Sequence, residues 1–267
     1  MYEKQGYLTE DYKLFHIKDI SAKEYDFHYH DFYKVLFFLK GDVSYIIEGK
    51  NYELKPYDIV LVSQNEIHKP IVSGDSEYER IVLYISEGFF QNDIRLMKCF
   101  FEASTEHTGV MRLPTQDTER ILELLLNAEK RLSEGYYGEL YGRLLVTEAL
   151  ARMNESVSKN GFTFGGSVVF NAKIVDACEY IKGNLKGDLS IDSLAERFFI
   201  SKYHFMRLFK EQTGYPVHQY ILEKRLLYTK YLTERGEKVT QACLEAGFKD
   251  YSTYLKAKKK AGEKEEE

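Results

Sequence analysis

Three histidines and a lysine in the first 70 residues could bind a metal ion or a small organic ligand. His28, His30 and Lys34 all lie at even positions of one short run. Alternate residues of a β-strand share a face, so these side chains would point into one interior, where His68 from a later strand could join them. Three imidazoles and a water could bind a divalent transition metal, but the ammonium of Lys34 would repel that ion.

The same four residues allow two further interpretations. They could give polar contacts to an organic ligand, or the histidines could be purely structural. Because Lys34 adds a positive charge, we expect a ligand site with no metal and no cofactor, and an anionic or polyhydroxylated ligand. The sequence contains no glycine-rich phosphate loop, no Gly-x-Ser-x-Gly and no His-Glu-x-x-His motif. We therefore do not expect an enzyme.

Strands are the elements expected to position these residues. Up to about residue 90, short runs of Val, Ile, Leu, Tyr and Phe alternate with turn signals such as Gly41-Asp42 and Pro56-Tyr57-Asp58. This pattern predicts an antiparallel sandwich or barrel. From about 115 to 155, apolar residues recur at helical spacing and predict two amphipathic helices. Residues 156–170 are polar and glycine-containing, and we expect them to form a linker.

The chain repeats a pattern after this linker. Each copy, at about 190–214 and 238–262, predicts a short helix, a tight turn and a longer helix that starts after an N-cap residue, Ser201 or Asp250. The sequence therefore predicts two helix-turn-helix motifs. A further helix of about 17 residues, at about 216–233, would connect them as a rod of roughly 26 Å.

The second helix of such a motif places its N-terminal residues in the DNA major groove. Arg207 could pair with guanine, Tyr203 and Met206 could contact thymine methyl groups, and the lysines suit phosphates. The candidate DNA-binding residues are Lys202, Tyr203, Met206 and Arg207 in the first motif and Lys249, Tyr251, Ser252, Thr253 and Lys256 in the second. The charge distribution is consistent with DNA binding by the C-terminal region only. Residues 1–171 hold 19 Lys/Arg against 27 Asp/Glu, whereas residues 172–267 hold 18 Lys/Arg against 15 Asp/Glu.

The C-terminal region resembles the AraC/XylS family of bacterial transcription regulators. The resemblance is carried by Leu194-Ala195, Ser201 to Lys210 with Gly214, Leu222-x-x-Arg225, and Ala246-Gly247-Phe248-x-Asp250. The segment containing His28-Tyr29-His30, Gly41, Lys55-Pro56-Tyr57-Asp58 and His68-Lys69-Pro70 looks like the cupin-type sensor domain common in that family. This implies a two-domain α+β protein, with an N-terminal cupin-like antiparallel β-barrel and helical pair, and a C-terminal all-α double helix-turn-helix.

The resemblance implies a cytoplasmic transcription regulator. Residues 1–155 would sense a small-molecule effector, such as a sugar or an anionic metabolite, at His28, His30, Lys34 and His68. Residues 171–267 would bind double-stranded promoter DNA. The helices at about 115–155 occupy the place of the family's dimerisation helices, which implies a homodimer. No apolar run reaches the ~18 residues of a membrane span, so no membrane partner is expected.

Two alternatives remain open at this point. One is a metal-dependent cupin enzyme, an isomerase or dioxygenase, with the helical region as an appendage. The other is an interaction protein whose helix-turn-helix units bind protein. The chain also departs from the family pattern: Lys34 stands where the cupins often carry Glu, and Phe199 stands where the first turn usually has glycine. The second motif is one residue short between Tyr254 and Gly262.

Overall fold

The computed structural model describes residues 8–19, 25–74, 77–91, 93–105, 108–132, 135–160, 163–164, 168–169 and 171–262. These residues fall into two compact units. A β-rich unit extends to Val168 without Glu48–Lys50, and a helical unit comprises those three residues and the described part of Val169–Glu267. Residues 161–162, 165–167 and 170 of the predicted linker, and the acidic tail 263–267, lie outside the described residues.

The strands form two sheets. Seven strands lie within the first 90 residues, the region that the sequence predicts to be β-rich: β1 (Tyr12–Asp19), β2 (Tyr33–Lys40), β3 (Val43–Ile47), β4 (Lys50–Glu53), β5 (Ile59–Val62), β6 (His68–Val72) and β7 (Tyr78–Ile85). The sequence did not indicate β8 (Val110–Arg112), β9 (Thr163–Phe164) or β10 (Val168–Val169). The sheet orders are β1-β7-β2-β5-β8-β9 and β10-β4-β3-β6. The described strands thus do not close into the expected barrel, because they divide between two separate sheets.

The central strands of the six-stranded sheet, β2, β5 and β7, are buried on both faces. Along β2, Val35 and Phe37 join the hydrophobic cluster that includes the neighbouring helices, whereas Leu36 and Phe38 join the cluster that includes residues of the four-stranded sheet. This is the two-residue alternation of a strand covered on both sides. The helices of this unit are α1 (Glu87–Phe90), α2 (Lys98–Thr105), α3 (Thr115–Leu132) and α4 (Gly138–Asn160), with a 3₁₀ turn at Ile94–Met97.

The predicted helix pair after residue 115 corresponds to α3 and α4. Helix α4 continues to Asn160, so the first five residues of the predicted linker are helical. Ser156, at the start of that stretch, is buried, and its hydroxyl donates to Asp117 of α3 at 2.5 Å. Packing against α3 therefore extends α4 beyond the point where its sequence becomes polar.

The helical unit contains only helices among its described residues from Ala172 onward, as the sequence predicts. They are α5 (Ala172–Gly183), α6 (Ile191–Arg197), α7 (Lys202–Thr213), α8 (Val217–Glu234), α9 (Val239–Glu245) and α10 (Tyr251–Gly262). Gly214 ends α7 with a left-handed φ of 77°, and Pro216 precedes α8. Among the described helices of both units, none is long and apolar enough to cross a membrane.

Phe199 occupies a strained backbone position in the turn between α6 and α7. Its φ is 53°, and its side chain is 89% exposed. The turn is held by Lys173 Nζ, which donates to the Phe199 carbonyl at 3.2 Å, and by the Phe199 amide, which donates to Glu196. A residue with a Cβ is disfavoured in the left-handed region, and the exposed ring offers little packing in return.

We expect Phe199→Gly to stabilise the helical unit by about 0.5–1 kcal/mol, since relief of the left-handed backbone exceeds the extra freedom that glycine gives the unfolded chain. Urea denaturation followed by circular dichroism measures the change. Phe199→Ala is the matched control, because alanine removes the ring but keeps a Cβ. An equal gain from alanine would contradict the backbone explanation.

Candidate functional site

The first turns of α7 present the first set of predicted DNA-binding residues to solvent. Lys202, Tyr203, Met206 and Arg207 are all exposed, Tyr203 by 85%. The opposite side of the helix is anchored by Phe205 and Phe209, which are fully buried. Since residues four apart share a helix face, this anchoring directs the candidate side chains away from the core.

The charged residues of α7 have only weak partners in the protein. Lys202 Nζ lies 2.9 Å from the Asp192 carboxylate, and Arg207 Nη2 lies 3.4 Å from His204 Nδ1. All these residues are exposed, and exposed ion pairs contribute about 0–1 kcal/mol. The side chains can therefore exchange these partners for phosphate or base atoms at little cost. His204 is exposed in the same turn and was not identified from the sequence.

The second set of predicted residues lies at the start of α10. Lys249, Tyr251, Ser252, Thr253 and Lys256 are exposed. The Thr253 amide and hydroxyl both donate to the Asp250 carboxylate, at 2.7 and 2.9 Å. This is an N-cap interaction, so the hydroxyl of Thr253 already has a structural role.

The shortened second motif nevertheless forms a helix of the same length as the first, 12 residues. In α7 the buried residues are Phe205, Phe209 and Thr213, each four apart, whereas among the described side chains of α10 they are Tyr254 and Ala257, three apart. The one-residue difference is thus accommodated by a change of the buried face. The hydrophobic cluster of the second motif consists of Cys243, Ala246, Phe248, Tyr254 and Ala257, and Leu222, Leu226 and Val239 pack against it.

The three histidines of the β-rich unit come together in its interior. His28 pairs with His68 through an isolated β-bridge, and their ring centroids are 4.3 Å apart. The His30 ring lies 4.8 Å from that of His68 and stacks on Phe32 at 4.0 Å. His28 and His30 precede β2, which begins only at Tyr33, so they reach the cluster from a loop and not from the strand that the sequence predicts.

Each imidazole is fixed in one tautomer by a backbone carbonyl. Nδ1 lies 2.9 Å from the Asp26 oxygen in His28, 2.7 Å from the Phe32 oxygen in His30, and 2.8 Å from the Glu66 oxygen in His68. A carbonyl only accepts hydrogen bonds, so Nδ1 carries the proton. In a neutral ring protonated at Nδ1, Nε2 is a hydrogen-bond acceptor. The Nε2 atom of His30 is buried and has no hydrogen-bond partner among the described residues.

Burial keeps these rings neutral. It lowers the pKa of His28 to about 4, with a further contribution from the positive charge of Lys34. For the same two reasons the pKa values of His30 and His68 lie well below the ordinary value. Near pH 7 the cluster therefore contains acceptor nitrogens and no imidazolium.

Lys34 projects from β2 into this cluster. Its Nζ donates to the Tyr45 hydroxyl at 2.9 Å and lies 3.5 Å from His68 Nε2. Burial lowers the pKa of Lys34 to about 7, and the charge of Arg80 contributes in the same direction. Within the described ranges, no group of three or more His, Cys, Asp or Glu side chains is arranged to hold a metal ion.

Two tyrosines at the cluster were not identified from the sequence. Tyr45 of β3 is fully buried and stacks on His68 at 6.0 Å, and the ring of Tyr84 in β7 lies 6.0 Å from that of His30. The alternation of buried residues along β3 is the one signal that marks Tyr45 as inward-facing. Its position beside the histidines depends on the pairing of β3 with β6.

Two family models match the chain. A helix-turn-helix domain model matches residues 194–262, and a model of the AraC-like ligand binding domain matches residues 15–144. The two matches cover the region with both helix-turn-helix motifs and the region with the histidine cluster.

Two curated relatives of the chain are named as transcription regulators. An uncharacterised helix-turn-helix regulator, YbfI of Bacillus subtilis, is 27% identical over 84% of this chain and 79% of its own length. The probable regulator LumQ of Photobacterium leiognathi is 24% identical over 88% of each chain. MarA of Escherichia coli, named a multiple antibiotic resistance protein, is 32% identical over 28% of this chain and 60% of its own length.

Solved structures give a weaker likeness. ToxT of Vibrio cholerae aligns over 94% of this chain and 95% of its own, with 17% identity and a TM-score of 0.38.

Proposed function

Because the chain is a member of the AraC family of transcription regulators, we propose that its two helix-turn-helix motifs bind promoter DNA under the control of a small-molecule effector. Regulators of this family bind DNA and ligands. YbfI and LumQ are both named as transcription regulators, so they give no support to the alternative of a metal-dependent enzyme.

One observation carries the DNA-binding proposal. All nine candidate side chains, at the starts of α7 and α10, are exposed, while Phe205 and Phe209 of α7 and Tyr254 of α10 are buried. Helix α8, with 18 residues, connects the two motifs and spans roughly 27 Å. That length is close to the ~34 Å between successive major grooves on one face of DNA.

We assign the contacts by chemistry. Arg207 pairs with a guanine edge, Tyr203, Met206 and Tyr251 contact bases through apolar surface, and Lys202 binds a phosphate. The remaining candidates, Lys249, Ser252, Thr253 and Lys256, are assigned to the second half of the same duplex site.

Salt dependence of duplex binding tests this function. If the lysines and arginines neutralise phosphates, log affinity falls linearly with log salt, with a slope of about −0.9 per phosphate contact. The full chain is measured by fluorescence anisotropy against a labelled duplex from its own promoter region. Absence of duplex binding at low salt, or an affinity that does not depend on salt, would contradict the DNA-binding proposal and favour a protein partner.

We place the effector at His28, His30, Lys34 and His68. The Nε2 of His30, which has no hydrogen-bond partner among the described residues, needs a donor, and Lys34 Nζ can donate to an acceptor. The hydroxyl groups of a metabolite such as a sugar can supply both the donor to His30 and the acceptor for Lys34, whereas an anionic group supplies only the acceptor for Lys34. Such an effector changes DNA binding only if it binds one conformation of the chain better than another.

We propose further that the chain is a homodimer joined through α4. Tyr137, Leu140, Tyr141 and Leu144 are each more than half exposed, and their spacing of three and four places them along one side of α4 and the turn before it. An apolar stripe of this kind is typical of a helix that packs against a symmetric copy.

We expect Leu144→Ser to weaken self-association about tenfold, or 1.4 kcal/mol, because the apolar contact is lost in both protomers. Sedimentation equilibrium measures the dissociation constant. The matched control is Leu132→Ser, which replaces a leucine 39% exposed at the end of α3, and it should leave association nearly unchanged. A monomeric wild-type chain, or equal effects from both variants, would contradict this interface.

A further inference from the structure

Lys34 is buried, and the described residues place no counter-anion beside it. Its side chain is only 6% exposed, and among the described residues no carboxylate forms an ion pair with it. Its hydrogen-bonding neighbours are the Tyr45 hydroxyl and His68 Nε2, both uncharged. A buried ammonium with no opposite charge is costly, so these surroundings favour the neutral amine.

A neutral lysine amine is a nucleophile, and it needs a nearby base. His68 Nε2 is an unprotonated imidazole nitrogen, because Nδ1 donates to the Glu66 carbonyl. It lies 3.5 Å from Lys34 Nζ, within reach of a proton leaving that atom. An amine in apolar surroundings beside an oriented base is the arrangement that activates lysine toward carbonyl carbon.

A polar atom near the amine is available for the rest of a small ligand. The Nε2 of His30, whose ring centroid lies 4.8 Å from that of His68, is buried with no hydrogen-bond partner among the residues that the structure describes. Buried polar groups are normally paired, so this unpaired acceptor indicates a missing donor. The hydroxyl group of a short hydroxyaldehyde could donate to this imidazole nitrogen.

We propose that the effector is a small aldehyde, which Lys34 captures as a Schiff base. The Nζ lone pair attacks the aldehyde carbon, and the C=O pair moves to oxygen. One amine proton passes through His68 Nε2 to that oxygen and gives a carbinolamine. The oxygen then leaves as water with the second amine proton, and a C=N bond forms. No oxidant or reductant is needed. This inference rests on the proposed sensing function and specifies its ligand class.

Reductive trapping in the wild-type full-length chain tests the proposal. Glycolaldehyde is the probe, cyanoborohydride fixes any imine as a stable secondary amine, and peptide mass spectrometry gives the rate at each lysine. At pH 7 about half of a lysine with a pKa of about 7 is neutral, against roughly 1 in 10³ or fewer for an ordinary lysine. We expect Lys34 to react on the order of 10² times faster than the exposed Lys258.

The pH profile separates Lys34 from surface lysines. Its rate should level off above about pH 7, whereas that of an ordinary exposed lysine should keep rising toward pH 10. The titratable and charged groups facing or influencing Lys34 are His28, His30, His68, Tyr45, Tyr84 and Arg80, from the loop before β2 and from β6, β3 and β7. Near pH 7 the three imidazoles are neutral, so the inflection belongs to Lys34.

Two variants check the assignment. Lys34→Arg keeps a cationic side chain and should show no trapped adduct in this peptide, while His68→Asn should still be labelled at Lys34, about tenfold more slowly. Circular dichroism confirms that each variant is folded. An unmodified Lys34 in the wild type, or one that reacts no faster than Lys258, would overturn the proposal.

Duplex binding gives a second readout. Trapped wild-type protein should bind duplex DNA with an affinity at least fivefold different from that of untreated protein, and glycolaldehyde with cyanoborohydride should not change the affinity of Lys34→Arg. Rapid labelling with unchanged affinity would overturn the effector role of the aldehyde. Binding by the untreated protein is measured separately, so a failure of DNA binding is distinguishable from a failure of aldehyde capture.

Discussion

Replacing Asp58 by alanine should destabilise the β-rich unit by about 3 kcal/mol. Asp58 is fully buried, and its carboxylate accepts from Arg112 Nε at 2.7 Å, from Arg112 Nη2 at 2.9 Å and from the Lys55 amide at 2.8 Å. Removing one partner of a buried pair typically costs about 3–5 kcal/mol. We take the lower end because the Arg112 side chain is 34% exposed and can gain water.

The position of the Asp58–Arg112 pair explains why its loss should lower the stability of the sheet. Asp58 immediately precedes β5, and Arg112 is the last residue of β8, which pairs with β5 through Ile59 and Met111. The bidentate contact therefore ties the two strands beyond their short ladder of backbone hydrogen bonds.

Urea unfolding followed by near-ultraviolet circular dichroism of the tyrosines measures the effect, since the chain has no tryptophan. Glu148→Ala is the matched control, because it breaks an exposed ion pair with Arg152 on α4 of the same unit, and it should cost about 0.3–0.5 kcal/mol. Asp58→Asn keeps one acceptor and should fall between the two. If Asp58→Ala costs no more than Glu148→Ala, the buried pair does not hold β8 in place.

The helix-turn-helix region could be predicted closely because its signals are local. Gly214 and Pro216 separate α7 from α8, and the spacing of Phe205 and Phe209 marks the buried face of α7. Each of these signals acts within one or two turns of its own residue. Phe199 was correctly singled out as a departure in the turn, and the structure shows its left-handed backbone.

The histidine cluster was predictable only in part. The spacing of His28 and His30 indicated a shared direction, but both reach the interior from a loop. Tyr45 lies beside His68 because β3 and β6 pair with Ile47 opposite His68, and such a register depends on contacts between distant segments. The separation of the strands into two sheets likewise depends on which edges pair, which periodicity within each strand does not specify.

In DNA binding, Arg207→Ala should lose about 2 kcal/mol, roughly 30-fold, at one base pair of the site. The guanidinium is exposed in the second turn of α7, and its contacts are limited to His204 at 3.4 Å and Glu211 at 3.9 Å among the pairs that the structure describes. A bidentate contact to guanine O6 and N7 accounts for an effect of this size. Discrimination at that base pair should disappear, while preferences at other positions remain.

Lys202→Ala is the matched control on the same helix, because a phosphate contact carries no sequence information. It should weaken binding to all duplexes alike and reduce the salt slope by about one contact. The preferred duplex is first selected from a random pool with the wild-type chain, and each base pair is then varied in competition binding with both variants. Equal losses from Arg207→Ala and Lys202→Ala at every sequence would contradict the assigned roles, because a side chain that reads a base must affect one position more than the others.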